Sequence, residues 1–201
     1  MLARRHFLAL LASAAATPAA LFIGRAGPSG FALSGAAAQD ISRTTAYAFS
    51  FVSLEGGRIR LSDYAGKPIL VVNTASQCGY TPQFTGLQEL WKRYHERGLM
   101  IVGVPSNDFA QEPGGVEEIH AVAHGRYNVV FPLVAKATLR GDDAHPFYKW
   151  AALQWPGDAP RWNFHKYLVG RDGQIAAVFP TRIEPLDARV IEAIVRELPP
   201  E

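Results

Sequence analysis

The sequence predicts an α/β fold in which a central mixed β-sheet is flanked by helices. Two continuous apolar runs, PILVVNT at 68–74 and LMIVGVPS at 99–106, predict buried strands. A helical pattern separates them, which is typical of a strand–helix–strand unit with parallel strands. A later hairpin pattern and a closing amphipathic helix add an antiparallel pair to the same sheet.

The first elements of this fold are a hairpin and a capped helix. AFSFVSL and RIRLSDY flank EGG within 48–64, which predicts an N-terminal β-hairpin with a glycine-rich turn. After the first buried strand, Thr81 is predicted to cap a helix, with Pro82 at its first position and Gly98 at its end. Phe84 and Leu87 begin the apolar stripe of that helix.

The remaining elements follow the second buried strand. The segments 114–127 and 142–155 predict two helices, 166–179 predicts a hairpin around the Asp172-Gly173 turn, and 185–198 predicts the closing amphipathic helix. The order is hairpin, strand–helix–strand, helices, hairpin and helix. That order is the plan of a thioredoxin-like fold.

The N-terminus predicts an export signal rather than part of the fold. Residues 1–38 combine an early Arg4-Arg5 pair with an alanine-rich apolar stretch, and small residues precede Gln39 as at a cleavage site. The arginine pair followed by x-Phe-Leu resembles a twin-arginine signal, whereas a general secretory signal or an uncleaved anchor are the alternatives. We therefore expect a single domain at 39–201 in the periplasm, or otherwise outside a bacterial cytoplasm.

Composition and charge exclude several classes of function. Hydrophobic residues make up 48% of the chain and charged residues 19%, which is enough apolar surface for a packed core. Outside 1–38 the chain carries 17 basic residues against 18 acidic ones, because three of the 20 basic residues and no acidic residue precede Gln39. No basic excess favours nucleic acid or an anionic membrane surface. The single cysteine excludes an internal disulfide, a zinc–thiolate cluster and an iron–sulfur centre.

That single cysteine, Cys78, lies in the segment TASQCGYT between the first buried strand and the first helix. Thr81 stands where a C-x-x-C redox motif would have its second cysteine. Backbone N–H groups at a helix N-terminus favour a negative charge there, and the thiolate is the reactive form of cysteine. An inert packing cysteine is the alternative, but such a residue is expected inside the apolar strand rather than in a polar turn.

Three motifs of the chain resemble the glutathione peroxidase family. They are VVNTASQCGYTPQFTGLQELWKRY, GVPSNDFAQEPGG and WNFHKYLVGRDG, and they occur in the family's order. The resemblance implies a thioredoxin fold and the reduction of peroxides by a cysteine or selenocysteine. It also implies a catalytic set of Cys78, Gln111, Trp162 and Asn163.

The chemistry that the resemblance implies fits these residue types. The two amides and the indole offer uncharged N–H donors that can stabilise a thiolate and the leaving peroxide oxygen, while the sulfur becomes a sulfenic acid. Many members carry a second, resolving cysteine, but 129–150 contains none. The reductant is therefore expected to be an external thiol such as glutathione or a thioredoxin-type protein, with no cofactor.

Other functions stay open or are disfavoured by the sequence. A peroxide sensor or redox relay using Cys78 is the alternative function, and a silent thioredoxin-fold binding module is a third. His120 and His124 are spaced for a metal, but no metalloprotease carboxylate accompanies them, so a solvated face and no metal site is expected. Val71 and Ala75 replace the Pro and Thr of the peroxiredoxin pattern. A monomer is favoured.

Overall fold

A computed structural model of the chain describes residues 44–200. The predicted N-terminal hairpin forms a separate two-stranded sheet of β1 (Ser50–Val52) and β2 (Arg58–Arg60). The central sheet contains β3 (Ile69–Thr74), β4 (Met100–Pro105), β5 (Lys166–Val169) and β6 (Ile175–Phe179). Its strand order is β4-β3-β5-β6, with β3 parallel to β4 and antiparallel to β5. This mixed sheet with flanking helices is the thioredoxin-like fold that the sequence predicts.

The helices are α1 (Gln83–Tyr94), α2 (Val116–His120), α3 (Pro146–Gln154) and α4 (Ala188–Glu197). Short 3-10 turns cover Ala46–Ala48 and Leu61–Tyr64. The predicted helix at 114–127 differs from expectation, because α2 continues as a π-helix over Ala121–Arg126. The predicted hairpin turn is confirmed, and Gly173 adopts a φ of 78° that favours glycine.

The core lies on both faces of the central sheet. Successive side chains of a strand point to opposite faces, so Leu70 and Val72 pack on one side and Ile69 and Val71 on the other. Side chains of α1 and α4 share the first cluster, and side chains of α3 share the second. Burial on both faces explains why the apolar residues of β3 and β4 run consecutively rather than alternating with polar ones.

The topology brings three connections to one edge of the sheet. The chain leaves β3 and β4 at the same edge because these strands are parallel. It enters β5 at that edge, since Val72 near the end of β3 is opposite Lys166 at the start of β5. The turn before α1, the loop after β4 and the segment before β5 therefore meet there, as ligand-binding connections do in open α/β sheets.

The predicted export signal at 1–38 lies outside the described residues. Among the helices of 44–200, none has the length and apolar character needed to cross a bilayer.

Candidate active site

Cys78 lies in a hydrogen-bonded turn between β3 and α1. Its backbone N–H donates to Thr81 Oγ1 at 3.1 Å, and that hydroxyl donates to the carbonyl of Ala75 at 2.8 Å. Thr81 therefore closes the turn and does not cap α1 through its side chain, so the predicted cap is wrong. The N–H of Tyr80 donates to the Cys78 sulfur at 3.4 Å, which places one backbone donor where a thiolate needs it.

The Cys78 side chain is more buried than its place in a polar turn suggests. It is 7% exposed and belongs to the core cluster that packs between the sheet and α1. The neighbouring Gly79 is the open side of the turn, because a Cβ at this position would meet no atom within 4 Å. No side chain therefore covers the turn at Gly79, directly beside Cys78.

The loop after β4 is tied to the Cys78 turn by two consecutive residues. The N–H of Gln77 donates to the carbonyl of Gln111 at 3.0 Å. The N–H and hydroxyl of Ser76 donate to Glu112 Oε2 at 2.8 and 3.1 Å. The side-chain amide of Gln111 donates to the Ala110 carbonyl at 3.2 Å, so its backbone rather than its amide is fixed at the turn.

Glu112 is a buried carboxyl group beside this turn. It is 1% exposed, and burial raises its pKa, while the hydrogen bonds from Ser76 act in the opposite direction. Its Oε1 has no hydrogen-bond partner among the described residues. The nearby Glu118 raises the pKa further and Lys136 lowers it. Glu112 therefore anchors the loop after β4 to the Cys78 turn, and burying its charged form costs free energy.

The Trp162-Asn163 segment is held to β3 by Asn73, which is fully buried. Asn73 Nδ2 donates to the Trp162 carbonyl at 3.1 Å, and Asn73 Oδ1 accepts from the N–H of His165 at 3.0 Å. The Phe164 N–H donates to the Asn73 carbonyl at 2.6 Å. One side chain on the strand that leads to Cys78 therefore sets the position of the whole segment.

The Trp162 ring lies at the surface and touches the Gln111 loop. It is 40% exposed, and its centroid is 5.5 Å from that of Phe109, with the rings tilted by 45°. The guanidinium of Arg140 lies over the Phe109 ring at 4.6 Å. This stack joins the segment before β5 to the loop after β4 across the edge of the sheet.

Asn163 carries the most unusual side chain of the segment. It is fully buried, and neither Nδ2 nor Oδ1 has a hydrogen-bond partner among the described residues. Its backbone is fixed, because Thr181 Oγ1 donates to the Asn163 carbonyl at 2.8 Å. An unpaired buried amide costs about 1–3 kcal/mol, so this group retains donor capacity for a polar ligand.

The four predicted residues therefore lie on the three connections that meet at one edge. Within 44–200, no hydrogen bond joins the Cys78 sulfur to the side chains of Gln111, Trp162 or Asn163. In enzymes without substrate, catalytic hydrogen bonds are often long or poorly aligned, and they tighten when the substrate binds. Their catalytic roles stay predictions.

Besides Glu112, sequence reasoning missed two buried polar residues that build this edge. Asn73 is one, and the other is Lys166, whose Nζ donates to Gln83 Oε1, the Phe164 carbonyl and the Ile183 carbonyl at 2.6–2.8 Å. Burial lowers the pKa of Lys166 to about 7, while the nearby carboxylate of Glu184 acts in the opposite direction. A polar residue inside an apolar strand pattern was the available signal, since such residues are buried only when paired.

Among residues 44–200, Cys78 belongs to no cluster of three metal-ligating side chains. A cavity of about 260 Å³ adjoins the segment before β5. It is lined by Gly157, Asp158, Ala159, Arg161, His165, Pro180, Thr181 and Arg182.

Comparisons with known proteins agree on one family. Residues 46–152 match the family described as glutathione peroxidase. The chain is 42% identical over 154 residues to the hydroperoxy fatty acid reductase gpx1 of Synechocystis sp., covering 72% of this chain and 91% of that protein. It is also 42% identical over 143 residues to a glutathione peroxidase of Lactococcus lactis subsp. cremoris, covering 69% and 91%. The crystal structure of Trgpx in its apo form superposes with a TM-score of 0.60 at 34% identity, covering 78% of this chain and 99% of that one.

Proposed function

The chain belongs to the glutathione peroxidase family and is a thiol peroxidase, and on this premise we propose that Cys78 is the residue that attacks the peroxide. The Cys78 thiolate attacks one peroxide oxygen, so that an S–O bond forms while the O–O bond breaks. The sulfur becomes a sulfenic acid, and the other oxygen leaves as an alcohol or water after taking up a proton. No metal or cofactor is needed for this step.

Gln111, Trp162 and Asn163 supply the uncharged donors of this reaction. The observation that carries their assignment is the buried, unpaired amide of Asn163 in a segment that Asn73 fixes to β3. A preorganised donor of this kind stabilises the negative charge that develops on the leaving oxygen. Within residues 44–200, neither the Gln111 amide nor the Trp162 indole is held by a hydrogen bond to a distant residue, so both are available as further donors for this reaction.

An external thiol completes the cycle, because Cys78 is the only cysteine of the chain. The first thiol condenses with the sulfenic acid to give a mixed disulfide and water, and a second thiol releases Cys78 as the free thiol. The cavity beside the segment carries Arg161 and Arg182 against one acidic residue, Asp158. We propose that this charge attracts a small anionic thiol such as glutathione to the segment before β5.

Organic hydroperoxides are the favoured substrates. Tyr80 and Trp162 are both large and exposed, at 38% and 40%, and both lie on the connections at this edge. An apolar chain can pack on such rings while its hydroperoxide group reaches Cys78. The Synechocystis sp. relative, named a hydroperoxy fatty acid reductase, supports the same substrate class.

Steady-state peroxidase assays test this function. The unmodified protein should turn over many times with glutathione, more slowly with a thioredoxin-type protein, and faster with a fatty acid hydroperoxide than with hydrogen peroxide. Cys78→Ser should be inactive with every combination of peroxide and thiol, because a serine hydroxyl is not appreciably ionised near neutral pH. A single stoichiometric oxidation, followed by a mixed disulfide with a protein partner, would instead support the peroxide sensor or redox relay.

We also propose that the protein acts outside the cytoplasm. The support is the pattern of residues 1–38, with Arg4-Arg5 ahead of an alanine-rich apolar stretch. Replacing both arginines by lysine should leave the precursor in the cytoplasm, as cell fractionation would measure. Normal export of this double variant would favour the general secretory route.

A further inference from the structure

Glu55, His120 and His124 form a second cluster of side chains, none of which belongs to the candidate catalytic set. Glu55 lies at the tip of the β1–β2 turn, while His120 ends α2 and His124 lies in the π-helix that continues it. His120 Nε2 is 3.0 Å from Glu55 Oε1, and His124 Nε2 is 4.0 Å from the same oxygen. The two imidazole rings lie with their centroids 4.8 Å apart. The fold therefore brings the carboxylate to the histidine pair from 65 residues earlier in the chain.

The backbone positions of the cluster are fixed by their surroundings. The N–H of Leu54 donates to the Leu133 carbonyl at 3.0 Å, and the N–H of Glu55 donates to Ser53 Oγ at 3.3 Å. The first bond docks the turn on the segment that follows the π-helix, and the second lies within the turn itself. Single π-turns within α-helices frequently occur at functional sites, and here the π-turn begins directly after His120.

The His124 ring is oriented by a backbone carbonyl. His124 Nδ1 lies 2.6 Å from the carbonyl oxygen of Val129. A carbonyl only accepts, so Nδ1 carries the proton, and in the neutral form of the ring the Nε2 lone pair is directed toward Glu55. A lone pair and a carboxylate then face each other, an arrangement that a cation between them stabilises. Metal-binding histidines commonly donate their other N–H to a carbonyl in this way.

We propose that Glu55, His120 and His124 bind one divalent transition-metal ion of the Zn²⁺ type. All three ligand atoms lie within 4.8 Å of one another. Tetrahedral zinc with bonds of about 2.0–2.1 Å places its ligand atoms roughly 3.4 Å apart, so small side-chain rotations suffice. Imidazole nitrogen with one carboxylate suits zinc, copper or nickel rather than calcium or magnesium. A fourth position is left to water.

Zinc titration of the purified protein by calorimetry tests the proposal. The titration uses Cys78→Ser, which removes the one thiol that could bind zinc and makes the result independent of the peroxidase reaction. We expect one zinc ion per chain. His120→Ala, His124→Ala and Glu55→Gln should each weaken binding at least about tenfold, a loss that even changes beyond the direct ligands often cause.

His95→Ala is the matched control. His95 Nε2 also pairs with a carboxylate, Glu96 Oε1 at 2.9 Å, but the pair has no second histidine. Zinc affinity should be unchanged in this variant. Circular dichroism verifies that each variant is folded, and Co²⁺ should give the visible absorption of a tetrahedral site only while both histidines are present. Absence of binding, retained affinity in His124→Ala, or an equal loss in His95→Ala would each overturn the proposal.

Discussion

Replacing Asn73 by leucine should loosen the segment that carries Trp162 and Asn163. Leucine has nearly the shape of asparagine but no hydrogen-bonding group, so the Trp162 carbonyl and the His165 N–H lose their partners. Two orphaned buried groups cost roughly 2–6 kcal/mol. Burying the apolar leucine offsets about 1.5–3 kcal/mol of this loss. The expected net loss in the free energy of unfolding is about 2 kcal/mol.

The same substitution should also slow the reaction of the folded protein with peroxide, beyond what the loss of stability alone would cause. A displacement of about 1 Å of the Asn163 amide can cost on the order of 10²-fold in rate. Thr74→Val is the matched control on the same strand, because Thr74 is also buried but its hydroxyl has no partner among the described residues. Removing an unpaired hydroxyl should be neutral or stabilising and should leave the rate unchanged.

Urea unfolding and rapid mixing with peroxide measure the two quantities in both variants. An oxidation rate in Asn73→Leu equal to that of the unmodified protein would show that the segment plays no part in the reaction. A change in stability equal to that of Thr74→Val would show that the hydrogen bonds of Asn73 contribute nothing.

Two further predictions concern the same segment. Trp162→Phe should slow oxidation on the order of 10²-fold, because the indole donor is lost. Trp155→Phe, at a similar exposure of 39%, should not slow it. Equal rates of the two variants in rapid mixing would show that Trp162 has only a structural role. Burial lowers the pKa of His165 from 6.5 to about 4, so the unfolded chain takes up a proton at higher pH than the folded one. The stability that neutral His165 contributes is therefore full above pH 6.5 and is lost as the pH falls through 4, by about 3 kcal/mol. Urea unfolding at pH 7.5 and 4.5 should show a smaller fall in the free energy of unfolding for His165→Phe than for the unmodified protein. An equal fall in both proteins would contradict this origin.

The central sheet was predictable because its strands are buried on both faces. The segments that form β3 and β4 each contain a run of consecutive apolar residues, which is typical of strands covered on both faces. The turn at Gly173 was equally predictable, because its backbone conformation favours glycine. In such places local preference and tertiary packing agree.

Local sequence patterns gave wrong predictions where a side chain has a partner distant in the fold or an alternative partner nearby. Thr81 has the residue type of a helix cap, yet its hydroxyl closes the Cys78 turn against Ala75. The helix at 114–127 has a regular pattern, but after His120 it widens to a π-helix that spacing rules do not reveal.

The candidate site was predictable only in its outline. The motifs placed Cys78, Gln111, Trp162 and Asn163 on three connections, and parallel topology brings such connections to one edge. Asn73 escaped notice because its role depends on a segment about 90 residues later. Likewise, Glu55 showed no relation to the two histidines until the hairpin turn docked beside them.

Intact-mass spectrometry after one equivalent of peroxide tests the central claim most directly, namely that Cys78 is a peroxidatic residue without an internal partner. Without thiol, the protein should gain one oxygen at Cys78, or lose water from that state by closing a sulfenamide ring, and excess peroxide should add further oxygens. With glutathione it should carry one glutathione adduct at Cys78, which a second glutathione removes. An unmodified Cys78 together with continuing consumption of peroxide, or undiminished consumption by Cys78→Ser, would contradict the account.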